Sequence, residues 1–133
     1  MKNGVIFLIL LTIFTGCKDE DSNPGNSSPA NFSDADFYTM AKTTTGFTYF
    51  NNSTDKLTRA PGSGHTQPTL STRYNAKAAS QLDTLFKVKS SANFPDSSFV
   101  VKELYNADGT VAIYAFMYKL KNDPNADANG WIW

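Results

Sequence analysis

Two charged residues, Lys102 and Glu103, stand side by side in an otherwise apolar run, FVVKELY, at residues 99–105. Alternation along a strand puts Val100, Lys102 and Leu104 on one face and Phe99, Val101, Glu103 and Tyr105 on the other. Both faces carry apolar residues, so one of the two charges must lie in apolar surroundings. A lysine buried without a partner tends to lose its proton, and the neutral amine is a nucleophile. A lysine on a half-exposed strand keeps its charge and snorkels to water along its own stem. The residues alone leave both readings open. Glu103 is a candidate proton relay, or a partner for a group on a neighbouring strand. His65, the only histidine, lies in a Gly/Ser-rich loop. It is either solvated there or a metal ligand, and no second ligand stands at a recognisable spacing. There is no glycine-rich phosphate loop, no Ser/His/Asp set and no distinct pair of carboxylates.

The only cysteine, Cys17, closes a different kind of segment. Lys2 is followed by an apolar run from Val5 to Phe14 and then Thr15-Gly16-Cys17. The run is shorter than the roughly 20 apolar residues a bilayer span needs, and it fits the central part of an export signal. Phe-Thr-Gly-Cys resembles a bacterial lipobox, in which the cysteine is lipidated and becomes the new N-terminus. Residues 1–16 are therefore expected to be a lipoprotein signal peptide, with a plain signal peptide or a short membrane helix as the alternatives. A lipidated Cys17 leaves no thiol for a disulfide, a zinc site or a cysteine nucleophile. Lys18-Asp19-Glu20-Asp21 follows. It reads either as a solvated start of a tether or as the acidic signal that resembles outer-membrane sorting to the cell surface.

Residues 17–31 carry the lipidated Cys17 and then no large apolar side chain, as expected of a flexible linker. A domain is expected over 32–133, about 100 residues and enough for one modest core. Zero formal net charge argues against nucleic acid as a partner, because such proteins carry a basic face. With 14% aromatic and only 18% charged residues, the chain has material for a core and for the wall of a pocket. Ser33 is the expected cap of a helix to about Lys42, burying Phe37, Met40 and Ala41. Phe47 to Asn51 and Thr69 to Tyr74 read as strands. Asn75 caps a second helix, NAKAASQLDTLF, with Ala78, Ala79, Leu82, Leu85 and Phe86 on one face. Residues 98–105 and 110–120 read as a β-hairpin closed by Asn106–Gly109. Its second strand is apolar on both faces and is expected at the centre of the sheet. After a polar loop, Gly130-Trp131-Ile132-Trp133 reads as a further strand beginning. So apolar an end suggests that the domain is incomplete at its C-terminus; the alternative is a short terminal strand tucked into the core. The fold class expected is α+β, a mainly antiparallel sheet with flanking short helices and a C-terminal β-hairpin.

FVVKELYNADGTVAIYAFMYKL, followed by a polar loop and GWIW, resembles the cytochrome P-460 family. The stretch from Ser63-Gly64-His65 to TRYNAKAA (residues 72–79) resembles the same domain, so the likeness covers roughly residues 45–133. It implies an antiparallel sheet with flanking helices around one haem c. Lys102 matches the strand lysine that the hydroxylamine-oxidising members bond to the haem edge. The related cytochromes c′ of the β type share the fold and bind nitric oxide. Tyr105, Tyr114, Phe116, Trp131 and Trp133 would wall the pocket, and His65 would be a weak candidate for a metal or haem-edge ligand. The likeness also implies an electron-transfer partner and a homodimer.

One departure is plain. A haem c is attached by Cys-x-x-Cys-His, and this sequence holds only Cys17 and His65. Either the motif lies beyond Trp133 or this member has lost its haem. Two functions are therefore expected. The first is an envelope haem lipoprotein that binds or oxidises small nitrogen compounds such as hydroxylamine and nitric oxide, or passes electrons, and that is periplasmic or surface-exposed on the outer membrane. The second is a haem-free lipoprotein domain that binds a small ligand or an envelope partner.

Overall fold

The computed structural model describes residues 32–133. The expected signal peptide, the lipidation site Cys17 and the linker lie outside the described residues. The first element is helix α1 (Asp34–Lys42). Ser33 caps it: its hydroxyl accepts from the Asp36 N–H at 3.3 Å, and the Asp36 carboxylate accepts from the Ser33 N–H at 2.8 Å. This reciprocal capping box satisfies two donors that a helix start leaves free. The Ser33 hydrogen bonds also hold the Asp36 carboxyl below its ordinary pKa.

Six strands form one antiparallel sheet: β1 (Thr48–Tyr49), β2 (Leu57–Thr58), β3 (Thr69–Tyr74), β4 (Phe99–Tyr105), β5 (Val111–Lys119) and β6 (Trp131–Ile132). The order is β1-β3-β4-β5-β6, with β2 also pairing on β3. The central strand is β4, not β5. The outer side of β5 is paired, among the described residues, only at Tyr118 and Lys119. The apolar pattern of β5 on both faces signals packing on one side and exposure on the other, so it does not report centrality. The hairpin expected between β4 and β5 is present, with the Asn106 N–H donating to the Thr110 carbonyl at 2.9 Å. It is followed by β6 rather than ending the sheet. The strand expected over Phe47 to Asn51 is cut short: after Tyr49 the chain winds into a 3₁₀ turn at Phe50–Asn52, where Asn51 and Asn52 take positive φ.

The second helix is much shorter than its pattern suggests. Helix α2 spans only Ala76–Ala79. Beyond Ser80 the Asp83 carboxylate accepts the N–H groups of Leu85 at 2.8 Å and Lys87 at 2.9 Å, and Leu82 bridges to Val88. An aspartate that binds local N–H groups offers the backbone an alternative to the helix. Phe86 consequently sits at φ 58°, and Leu85 is 66% exposed instead of lying on a buried stripe.

The sheet buries its two faces unequally. On one face Phe99, Val101 and Tyr118 pack with Phe37 and Ala41 of α1. Phe37 stacks on Phe116 at 4.7 Å between ring centroids and lies 5.5 Å from Tyr118. Helix α1 thus roofs this face. On the other face Tyr74, Ala78 and Leu82 form a smaller cluster with Phe86, Phe94 and Val100 partly buried against it. It covers only one end. Asn75 locks that corner: its carboxamide oxygen accepts from the Ala78 and Phe99 N–H groups, and its amide donates to the Ser97 carbonyl. Among the described residues, no helix is long and apolar enough to cross a membrane.

The α1 roof should be the more costly to disturb. Phe37→Ala is expected to lose about 3–5 kcal/mol of stability, the usual range for truncating a buried phenylalanine. Urea or guanidinium unfolding measures it; a loss within experimental error would mean that α1 is not seated on the sheet.

Candidate functional site

The register of the sheet decides where each charge goes. Lys102 lies opposite Thr72 of β3 and Ala115 of β5, while Glu103 lies opposite Ser71 and Tyr114. Residues directly opposite in an antiparallel pair share a face. Lys102 therefore points away from α1, to the face that the small cluster covers only at one end, and it is exposed. Glu103 points to the α1 side and is buried, only 4% accessible. Of the two charges it is Glu103, not Lys102, that is buried.

Glu103 is compensated by three donors at one oxygen. Its Oε2 accepts from Arg73 Nη2 at 2.5 Å, from the Tyr105 hydroxyl at 2.5 Å and from the Ser71 hydroxyl at 3.0 Å. Arg73 also donates to the Thr44 hydroxyl and lies over the Tyr49 ring at 4.8 Å. Burial works against the Arg73 charge, but the Glu103 carboxylate outweighs it and raises the guanidinium above its ordinary pKa. Burial, then the bond to Glu103, pushes the Tyr105 hydroxyl up. The cluster is a buried ion pair with three donors on one carboxylate oxygen and only Arg73 Nε left without a partner among the described residues, which suits a structural role better than a proton relay. It also stands on the opposite side of the sheet from Lys102, so the two cannot exchange a proton through side chains.

Around Lys102 the open face forms a shallow depression of about 130 Å³, lined by Thr72, Val100, Ala115, Phe116, Met117 and Trp133. The single ion pair among the described residues is Arg73–Glu103, so the Lys102 ammonium is not ion-paired there. The depression is an apolar surface with one cation and one hydroxyl. Trp133 is 68% exposed at its rim. Asp127 holds it there: its carboxylate accepts from the Trp131 N–H at 2.9 Å, the Asn129 N–H at 2.8 Å and the Trp133 indole N–H at 3.2 Å. The Trp131 bond leads in holding the Asp127 carboxyl below its ordinary value of 3.8.

The aromatic residues singled out from the sequence do not converge on one pocket. Trp133 lines the depression, and Phe116 borders it although its ring stacks on Phe37 on the α1 side. Tyr105 lies with Glu103 and Tyr114 with Tyr38, both on the α1 side. Trp131 is buried against Phe94 at 5.4 Å, at the sheet edge. Alternation puts Tyr105, Tyr114 and Phe116 on the α1 face, opposite to Lys102. His65 is half-buried in the loop between β2 and β3, where Arg59 binds its carbonyl at 3.0 Å. Its Nδ1 is shielded and without a partner, and it does not line the depression. Among the described residues no group of three His, Cys, Asp or Glu side chains could hold a metal ion. Thr72, Ala115 and Met117 were not foreseen as site residues. Only the pairing register places them beside Lys102, and no local motif marks them.

No protein-family model, curated protein or solved structure matches the chain.

Two outcomes separate the structural charge from the free one. Glu103→Ala leaves Arg73 without its partner and should cost about 3–5 kcal/mol in denaturant unfolding. Lys102→Ala should stay within about 0.5 kcal/mol, as for an exposed side chain without special contacts. A reversal of that order would show that Lys102 carries fold stability. Acid gives a second check. The folded pKa of Asp127 lies below the unfolded value, so its contribution is complete above the ordinary value of 3.8 and is lost as pH falls through the lower folded value. Tryptophan fluorescence should therefore change in that acid range, and Asp127→Ala should remove that change.

Proposed function

We propose that the chain is a cytochrome P-460-like envelope lipoprotein domain, anchored through a lipidated Cys17, whose binding site is the sheet face around Lys102. One observation carries the site: a lysine without an ion-pair partner among the described residues stands in an otherwise apolar depression beside the Gly-Trp-Ile-Trp strand. Such a surface suits a flat, apolar molecule with an anionic edge. Val100, Ala115, Met117 and Trp133 would meet its body, and the Lys102 ammonium would bind a carboxylate by a charge-assisted hydrogen bond.

The likeness to cytochrome P-460 extends this to haem c, to hydroxylamine or nitric oxide as substrates, to an electron-transfer partner and to Lys102 at the haem edge. The residues in hand do not fit covalent attachment of that group. Haem c takes two thiols and a histidine, whereas the sequence has Cys17 and His65 alone, and His65 stands away from the depression. That observation favours the second reading, a haem-free lipoprotein domain that binds a small ligand or an envelope partner. Localisation in the cell envelope, at the outer membrane, belongs to both readings and rests on the Cys17 segment.

Metal-free protoporphyrin, a flat dicarboxylate, probes the face without offering iron. The purified chain is expected to bind it saturably, with quenching of Trp133 fluorescence. Lys102→Ala should weaken binding by about ten- to a hundredfold, as loss of a hydrogen bond to a charged group implies. Absence of saturable binding would remove the planar-ligand reading. Much tighter binding of ferric haem than of the metal-free ring would instead reveal an iron ligand and restore the haem reading.

A further inference from the structure

A second recess opens where β5 ends, and it shares no lining residue with the Lys102 depression. It measures about 400 Å³ and has three walls, residues 93–96, 119–121 and 128–130. Main-chain bonds fix each wall. The Asn93 N–H donates to the Gln81 carboxamide oxygen at 2.9 Å. The Ser97 N–H donates to the Lys119 carbonyl at 2.7 Å, and the Leu120 N–H to the Gly130 carbonyl at 2.9 Å. Gly130 has φ 78° and stands so near its neighbour that a Cβ there would come within 2.8 Å of the Lys121 Cα. Glycine alone permits that approach.

The recess holds charges of both signs. The Lys119 ammonium donates to the Asn129 carbonyl and lies 5.1 Å from the centroid of the Trp131 ring, which keeps it in place. The Asp96 carboxylate is pinned by accepting the Lys121 N–H at 3.1 Å. The Lys121 side chain is exposed and lines the same space. The single ion pair among the described residues is Arg73–Glu103. Neither lysine is therefore paired with Asp96 there, and the two signs stand apart in one small cavity. The carboxamides of Asn93 and Asn129 add groups that can both donate and accept. Phe94, packed edge-on against Trp131 at 5.4 Å, supplies an apolar patch.

We propose that this recess binds a small zwitterion, an amino acid or dipeptide with its α-ammonium and α-carboxylate both free. The carboxylate takes charge-assisted hydrogen bonds from Lys119 and Lys121, and the ammonium donates to Asp96. A simple anion would satisfy the lysines but face the Asp96 carboxylate. A simple cation would meet two ammonium groups. Only a ligand carrying both signs complements the whole lining. The carboxamides of Asn93 and Asn129 serve its peptide group, and a small side chain rests on Phe94. The charges stand at the surface, where each pair contributes little, so the affinity is roughly millimolar. The proposal rests on this recess and is independent of the Lys102 face and its ligand.

Three probes test it: dialanine, its N-acetyl derivative and its C-terminal amide. Each is titrated into the full chain in a non-ionic detergent at low ionic strength, because salt screens exposed charges. The amide resonances of Asn93, Lys121 and Gly130 report binding. Dialanine is expected to shift them saturably, and each blocked form to bind about two- to fivefold more weakly, the loss of one exposed charge pair. Lys121→Ala should weaken dialanine by a similar factor and leave the C-terminal amide unchanged. Asp96→Asn keeps an oxygen for the Lys121 N–H; it should weaken dialanine likewise and leave the N-acetyl derivative unchanged. A folding defect would not produce that crossed pattern. The proposal is overturned if dialanine gives no saturable shift in the millimolar range. Equal binding of the N-acetyl derivative would reduce the recess to a simple anion site, and variants that weaken all three probes alike would also refute it.

Discussion

Burial of one face of β4 is the constraint on which the rest of the structure depends. Phe99, Val101, Glu103 and Tyr105 all project to the side roofed by α1, and each is buried. Phe99 and Val101 supply the contact with α1 and with Tyr118. A one-residue slip in register would turn that whole set to the open face. It would also expose the aromatic cluster and bring Lys102 under the helix. Pairing on both sides, to β3 and β5, holds β4 against such a slip.

The same burial forces the chemistry of Glu103. A carboxylate on the covered face needs donors, and β3 provides Ser71 and Arg73 from positions beside it. Tyr105, two residues along on the same face, adds a third. The polar cluster completes an otherwise apolar layer, and removing one member would strand the others. On the opposite face the same strand carries Lys102 into a shallow apolar setting, exposed and outside the ion pair. Two adjacent charges thus take opposite roles because a strand turns successive side chains to opposite sides.

The open face of the sheet reaches to Trp133. Asp127 anchors β6 through main-chain and indole bonds, and β6 in turn covers only the end of β5. The recess beside Lys102 lies next to that pairing. Elsewhere the fold closes its surfaces: Asn75 ties three segments together at one corner, and the capping box at Ser33 fixes the start of α1.

Much of this was legible in the residues. Ser33 and Asp36 announced the helix start through hydrogen bonds made within four residues. The paired runs around Asn106–Gly109 announced the β4–β5 hairpin, because turn chemistry and alternation are local. The alternation of FVVKELY separated Lys102 from Glu103 before any fold was known. What it could not say was which face would be buried, since both carried apolar side chains. That was decided by α1, whose Phe37 and Ala41 seat on the Phe99 side. The length of α2 was also beyond local reading, because a helical pattern from Ala76 to Phe86 is overridden where Asp83 captures the Leu85 and Lys87 N–H groups. The composition of the site was tertiary altogether: Thr72, Val100, Ala115 and Met117 come from three strands and meet Lys102 only through pairing register. The sequence by itself determined the local elements and the two-faced character of β4. Only the tertiary structure decided which charge is buried, which strand is central and where the sheet stays open, because those depend on contacts between segments far apart in the chain.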